Sequence, residues 1–465
     1  MGEARAGTQT GLWSPQHRAL TAGLVLTITF VAAEALAILL VMPTVKEDLG
    51  GLSLYGWVFS AFMLGSLVGT VLTGRAVDAM GPAPPYVAGL VLFVAGLLIG
   101  GLAPTMLVLV LGRAVQGLGA GAIPAVAYVS IGRSLPEALR PRMMAVLSTA
   151  WVVPGLFAPV VAAVVAEAFG WRWVFLGLVP LVLAAGPIAL PALRTLGPPR
   201  GEPAPSNVVD ALRVATGAVL LLAGLTSHAV YGLPMAVAGT ALGLPALRRL
   251  VPAGTLTARP GLPATVLSRG LLTFAFFGTD TFMQLVVQDV RDRGRGLATA
   301  ALTVATLCWT AGSWVQARMA PRRNAREFVA VGTLLVLVGI GGILALLSPA
   351  VPVWLAPVAW GIGGFGMGLA YAPVTLLVLR EAPPGREGWA TASMTLLDTL
   401  GWALGTGLGG AAVAAGEASG WSLDVGVGIA LVLSAAAAVG GLLVSPRLPR
   451  NLPAPAVPEP RPGAP

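Results

Sequence analysis

Apolar residues follow one another along this chain in long unbroken runs, set apart by short polar stretches rich in arginine, glycine and proline. A hydrocarbon layer about 30 Å thick asks for roughly 20 apolar residues wound as a helix. Runs that do not alternate with polar residues exclude a transmembrane barrel. Spans are expected near 20–41, 54–74, 85–103, 105–132, 142–166, 171–193, 211–229, 231–247, 264–288, 297–317, 327–347, 351–379, 388–414 and 423–444. The pattern describes an all-α polytopic membrane protein with about fourteen transmembrane helices.

The pattern also repeats. Gly65-Ser-Leu-Val-Gly69 runs into Gly74-Arg75, as Cys308-Trp-Thr-Ala-Gly312 runs into Ala317-Arg318, and Gly117-Leu-Gly-Ala-Gly121 finds a counterpart in Gly364-Phe-Gly-Met-Gly368. The two offsets are nearly equal, which points to two six-helix bundles in a parallel pseudo-two-fold repeat. The surplus between them, around Val208 to Pro252, reads as an inserted two-helix hairpin. An even number of inserted crossings leaves both halves in the same orientation. The expected organisation is an N-terminal tail over 1–19, a first bundle over 20–195 and a linker with the hairpin over 196–260. A second bundle over 261–445 and a disordered proline-rich tail over 446–465 complete it.

Composition agrees: 56% of the 465 residues are hydrophobic and only 10% charged, against about a quarter charged in soluble proteins. The net charge of +9 is a matter of topology. With both termini cytoplasmic, most basic residues fall on the inner side, Arg133, Arg140, Arg142, Arg248, Arg249, Arg322, Arg323 and Arg326 among them. Lys46, Arg172 and the group Arg291, Arg293 and Arg295 lie outside, and the last group is the awkward one. The single cysteine, Cys308, allows no intrachain disulfide.

Four ionisable residues, Glu34, Arg113, Asp280 and Asp398, sit inside otherwise apolar spans. A charge at that depth costs on the order of 3 kcal/mol on insertion scales and persists where it faces a cavity or a partner. At ~1.5 Å per helical residue, Glu34, Arg113 and Asp280 share one layer and Asp398 lies nearer the midplane. Gln116 and Gln284 follow Arg113 and Asp280 by one turn and share their faces. A carboxylate there is able to hold a proton and release it when the site meets water or a cation, which makes it a switch. The expectation is a set of acids lining one shared interior. The alternative is that Glu34 and Arg113 form a buried ion pair that fixes helix packing. After the second span, Gly74-Arg75-Ala-Val-Asp78-Ala-Met-Gly81 ends a helix tightly and places an acid at its mouth, as a gating latch or as an ordinary polar loop.

On these residues the chain resembles the major facilitator superfamily, and within it the fourteen-helix drug–proton antiporters. Gly74, Asp78 and Gly81 match the loop whose acid holds the outward-facing state in that family. The basic residues usual there are replaced by Ala79, Pro82 and Ala83, which implies a weaker latch. Gly112-Arg113-Ala-Val-Gln116-Gly117-Leu-Gly119 resembles the fourth-helix motif whose arginine is linked to proton movement. Ala150-Trp-Val-Val-Pro154-Gly155-Leu-Phe-Ala-Pro159 is similar to the antiporter motif of helix five, with Pro154, Gly155 and Pro159 as a hinge. The resemblance implies drug:proton antiport by alternating access in a bacterial cytoplasmic membrane. The proton gradient would supply the energy with no cofactor, the substrate would be a lipophilic small molecule, cations included, and the transporter would be a monomer.

No phosphate-binding loop, zinc-binding His-Glu-x-x-His or Gly-x-Ser-x-Gly elbow occurs in the chain, and only His17 and His228 could serve histidine chemistry. Export or flipping of a lipid or envelope precursor stands as the alternative, with a nutrient symporter behind it. Few Asn, Gln, Ser or Thr residues in the spans are available to recognise a polar solute, which counts against a symporter.

Overall fold

The computed structural model describes residues 11–50, 55–198, 208–226, 231–293 and 295–450, so His228 and most of the expected C-terminal tail lie outside the described residues. The described residues form fifteen α-helices: α1 (Arg18–Leu49), α2 (Tyr55–Met80), α3 (Ala83–Gly101), α4 (Met106–Ser134), α5 (Arg140–Phe169), α6 (Arg172–Leu176), α7 (Leu178–Arg194), α8 (Val208–Thr226), α9 (Gly232–Leu250), α10 (Leu262–Leu285), α11 (Arg295–Met319), α12 (Ala325–Ala345), α13 (Ala356–Glu381), α14 (Glu387–Ala418) and α15 (Leu423–Val444). All but the five-residue α6 are 17 residues or longer. Ten helical stretches among the described residues are long and apolar enough to cross a membrane. Of those outside this set, α2, α5 and α14 are helices that pack across from one half of the molecule to the other.

The repeat read from the glycines recurs as geometry. In the first half, a side chain on Gly117 would meet the Phe62 carbonyl oxygen at 2.1 Å, one on Gly121 the Ser66 oxygen at 2.1 Å and one on Gly69 the Leu118 oxygen at 2.2 Å. In the second half, Gly364 meets Ala305, Gly368 meets Trp309 and Gly312 meets Phe365 in the same way, at 2.1, 2.1 and 2.4 Å. Each pair is displaced from its partner by the sequence offset of its own helix. The α2–α4 crossing and the α11–α13 crossing are therefore the same crossing, closed because no Cβ stands between the backbones. Even the side bonds repeat: Thr70 Oγ1 donates to the Gly121 carbonyl at 3.1 Å and Ser313 Oγ to that of Gly368 at 3.4 Å. The row Gly401, Gly405 and Gly409 faces α10 within its own half, against Gly270, Phe274 and the Phe282 ring.

The inserted segment forms two antiparallel helices, with Gly217 of α8 against Gly239 and Gly243 of α9, and Gly224 against Gly232 and Ala236. The pair lies across the seam where α2 meets α14. Ala211, Val214 and Ala215 of α8 join Leu67 and Val71 of α2 and Leu396, Leu397 and Leu400 of α14 in one buried cluster. Residues 11–17 wind as turns against the start of α1, with Leu12 and His17 buried, so the expected N-terminal tail is partly docked.

Of the awkward outer arginines, Arg291 is accounted for by a helix end. Arg291 donates to the Leu346 and Ser348 carbonyls at 2.6 and 2.7 Å, closing the C-terminus of α12. Arg172 pairs with Asp48 at 2.7 Å, and the same carboxylate oxygen accepts from Trp171 Nε1 at 3.0 Å.

Candidate functional site

The first half holds one polar knot. Glu34 of α1 is ion-paired through Oε1 with Arg113 Nη1 of α4, and both residues are only 2% exposed. The same nitrogen donates to Gln116 Oε1 at 2.8 Å, and Arg113 Nε donates to the Val58 carbonyl at 3.2 Å. The guanidinium lies over the Phe62 ring, 4.2 Å from its centroid. A planar cation with donors on several edges suits this position, and a lysine could not satisfy all of it. The buried ion pair, the alternative of the sequence reading, is thus realised between Glu34 and Arg113, with Gln116 bound to it.

A second knot lies in the other half, and its central cation went unread in the sequence. Arg269 of α10 is fully buried: Nε stands 3.1 Å from Asp398 Oδ1 of α14, Nη1 donates to the Tyr371 carbonyl at 2.8 Å and Nη2 to Thr375 Oγ1 at 2.8 Å. Its guanidinium stacks 3.3 Å from the Tyr371 ring centroid. Tyr371 Oη donates to Asp398 Oδ2 at 2.8 Å. Arg269 falls close to the inner boundary of its expected span, where a basic residue obeys the charge rule and draws no notice. Its spacing from Asp398 along the chain gives no sign of contact.

Asp280 stands apart from both knots. Its Oδ1 accepts from Trp360 Nε1 at 2.6 Å. Around it runs a chain of rings: Phe276 is stacked on Trp360 at 4.8 Å and Phe277 on Trp402 at 4.3 Å, while Trp309 meets Phe276 and Tyr371 edge-on at 5.3 and 5.4 Å. Gln284, one turn on, is exposed on the same face. The structure gives Glu34 and Asp280 no bond to one another: each has its partner within its own half, Arg113 and Trp360. An ion without a partner at this depth costs several kcal/mol, so each carboxylate takes the donor its own bundle offers. The rings leave an aromatic surface, part-exposed at Phe277, Trp309 and Trp402, next to a carboxylate and an amide. Such a surface accommodates apolar and cationic groups alike.

The cross-half hydrogen bonds gather near one end of the bundle. Asp78, beyond the second span, accepts from the backbone nitrogens of Gly388 at 2.7 Å and Trp389 at 2.8 Å, at the start of α14. Free N–H groups and the positive end of the helix dipole make that terminus an anion site. Arg133 bonds Glu387 at 2.9 Å and stands 3.9 Å from Asp78. Burial pushes the Asp78 carboxyl up to about 6, held from going further by the two backbone bonds. Gly74 and Gly388 touch backbone to backbone: a Cβ on Gly388 would sit 2.2 Å from the Gly74 oxygen. Gly81 ends α2 at a φ of +80°, which glycine adopts freely. Arg75 is exposed on the same turn. On the other seam, Ser148 and Ser313 hydroxyls are 3.1 Å apart and Trp314 Nε1 donates to Thr149 Oγ1 at 3.2 Å. Helix α5 then runs through Pro154, Gly155 and Pro159 unbroken. The Gly74–Gly81 segment thus touches the opposite half directly, through Asp78 and Gly74.

Comparison with known proteins follows from this architecture. The Major Facilitator Superfamily sequence model matches residues 22–406. A probable multidrug-efflux transporter of Mycobacterium tuberculosis strain H37Rv is 27% identical over 433 residues, covering 87% of this chain and 90% of the relative. The multidrug transporter protein MdtP of Bacillus subtilis is 24% identical, covering 85% and 75%. Among solved structures, the human organic anion transporter TETRAN aligns with a TM-score of 0.70 at 14% identity, over 93% of this chain and 100% of that one. The proton:xylose symporter XylE aligns at 0.66 and 14%, over 93% and 96%.

Proposed function

The chain belongs to the major facilitator superfamily, and from that premise we propose that it is a proton-coupled efflux transporter of lipophilic small molecules, cations among them. It would work by alternating access in a bacterial cytoplasmic membrane, with about fourteen crossings and both termini cytoplasmic. The observation that carries this reading is the pairing of a carboxylate with a buried arginine in each half, Glu34 with Arg113 and Asp398 with Arg269, behind an end sealed by Asp78. A carboxylate with as little access to water as Glu34 changes its charge only when the surrounding helices move, which is what coupling requires.

Arg133, Arg140, Arg142, Arg322 and Arg323 lie towards the sealed end, so the charge rule makes it the cytoplasmic one. The conformation is then one closed on the cytoplasmic side. Glu34 is the principal proton site in this reading, Arg113 sets its affinity with Gln116, and Pro154, Gly155 and Pro159 give α5 its freedom to bend. Asp280, Gln284 and the rings receive the substrate. The names of the bacterial relatives support a drug-like substrate.

The test is transport in proteoliposomes with an imposed pH gradient, using a lipophilic cation, a neutral antibiotic and a fluorescent lipid in parallel. Gradient-driven movement of the cation, lost in Glu34→Gln with expression unchanged, is the expected result. Movement of the lipid alone would transfer the assignment to a lipid exporter. Gradient-driven efflux unchanged in Glu34→Gln would remove that residue from the mechanism.

A further inference from the structure

The second half carries a cavity at its cytoplasmic end, away from the acids and rings described above. Helices α12 and α15 run antiparallel there: a Cβ on Gly441 would stand 3.2 Å from Thr333, and one on Gly428 3.4 Å from Leu347. One turn nearer the cytoplasm than Thr333 a space of about 320 Å³ opens, lined by Asn324, Arg326, Glu327 and Ala330 at the start of α12 and by Ser445 and Arg450 beyond the end of α15. That volume lies within the ~300–1,000 Å³ usual for a small ligand.

Both arginines are held in place by the chain around them. Asn324 caps α12 by accepting from the Arg326 backbone nitrogen at 3.1 Å, so the donors offered to the cavity are the guanidiniums and not the helix end. Beyond α15, Leu448 is buried, the Gly261 nitrogen donates to the Arg447 carbonyl at 3.1 Å, and Arg447 Nη1 donates to the Thr257 and Ala258 carbonyls at 3.2 and 3.1 Å. These contacts pin the segment that carries Arg450. Glu327, the one acid of the lining, is bridged by Arg323 at 3.5 Å. Among the described residues neither Arg326 nor Arg450 has an acid as a partner.

Two positive charges thus face one cavity at the level where the apolar spans of α12 and α15 end. From Glu327 and Ala330 towards the midplane, Val331, Leu334 and Val338 recur at helical spacing on the same face of α12, each about half exposed. A guanidinium grips a phosphate through two parallel N–H bonds, and an apolar stripe beside it suits an acyl chain. Free phosphate would gain only the first of these, from cations that water and salt screen. A lipid of the inner leaflet brings both, with its phosphate already at that depth.

We propose that the cavity between α12 and α15 binds the phosphate of an anionic phospholipid of the cytoplasmic leaflet, gripped by Arg326 and Arg450, with an acyl chain laid along Val331, Leu334 and Val338. Binding makes and breaks no covalent bond. The inference takes its sidedness from the reading given above and nothing from proton coupling.

It is tested without transport, by native mass spectrometry of the delipidated full chain with phosphatidylglycerol, phosphatidylethanolamine and inorganic phosphate as probes. Phosphatidylglycerol is expected to bind on the order of tenfold more tightly than phosphatidylethanolamine, whose headgroup carries no net charge. Arg326→Gln and Arg450→Gln should each weaken phosphatidylglycerol about fivefold. Arg322→Gln, which removes a charge from the same end but outside the cavity, should leave binding as it was. Glu327→Gln should tighten it roughly twofold, a gain that a misfolded protein would not show. Equal affinity for the two lipids, a loss in Arg322→Gln as large as in Arg326→Gln, or weaker binding in Glu327→Gln overturns the proposal. Displacement of phosphatidylglycerol by inorganic phosphate also overturns it, since the site would then be one for a soluble anion.

Discussion

Asp78 accepts the backbone N–H of Gly388 across the boundary between the two halves at 2.7 Å, and Gly388 is the residue whose missing side chain lets α14 touch Gly74. The acid and the gap are parts of one contact. Gly388→Ala should therefore open the cytoplasmic end as effectively as Asp78→Ala, although it removes no charge. Labelling of a cysteine introduced at Gly132, which faces Leu379 of the other half, reads the opening. Labelling of the Gly388→Ala protein no faster than its parent would separate the two parts.

The Asp78 carboxyl, raised to about 6 by burial, gives the latch a pH dependence of definite sign. The closed state holds the proton more tightly than a state in which Asp78 meets water at its ordinary value of 3.8. The closed state gains as pH falls from above 6 towards 3.8, and that gain is lost as pH rises through 6. Distances between spin labels at Glu137→Cys and Arg322→Cys, one on each half, should show the closed fraction growing over this window, and Asp78→Asn should flatten the response. A closed fraction that shrinks below pH 6 in the parent would remove Asp78 from control of this end.

Arg113→Leu and Glu34→Gln should differ in stability as well as in transport. Removing Arg113 strands Glu34 and leaves the Val58 carbonyl and Gln116 without their donor, and should cost about 3–5 kcal/mol. Glu34→Gln keeps an oxygen able to accept from Arg113 and should cost less while abolishing coupled efflux. Thermal unfolding in detergent checks the order, and equal losses would show that charge is not what the pair contributes.

Asp280→Asn should reduce transport of a lipophilic cation on the order of tenfold, about 1.4 kcal/mol, and leave a neutral compound of similar size nearly unchanged. Uptake into inverted vesicles compares the two. Equal losses would make Asp280 a structural anchor for Trp360 and not a recognition group.

Gly117→Ala and Gly364→Ala occupy equivalent places in the repeated crossing, each with a carbonyl oxygen 2.1 Å from the new Cβ. Each should destabilise by roughly 1–3 kcal/mol through overpacking, and by similar amounts. A large difference in unfolding temperature would mean the crossings are alike in shape and unlike in strain.

The repeat was legible in the sequence because its glycines do one physical job, admitting a carbonyl where a side chain would stand, and that job leaves nothing else at those positions. Arg113 and Glu34 were legible because charge in mid-span has few explanations. Arg269 was hidden by position, since near an expected helix boundary a basic residue looks ordinary. The separation of Asp280 from Glu34 was hidden by symmetry: equal depth in matching helices suggests a common cavity, yet each acid found its partner inside its own bundle. The seat of the hairpin could not be read at all, because apolar helices dock by shape, as Leu222 does on Gly407, and leave no charge or motif to mark the place.

That seat makes the two flanks of the transporter unequal. Along α2 and α14 the moving boundary is walled from the bilayer by a pair of extra helices bonded to it as far as Ser393, whose hydroxyl reaches the Leu250 carbonyl at 2.9 Å. Among the described residues, the flank formed by α5 and α11 has no such wall. On the proposed function, rocking of the halves would drag a fixed partition along one margin and leave the other bare, so an oily solute travelling within the leaflet would meet a doorway on one side of the molecule and masonry on the other.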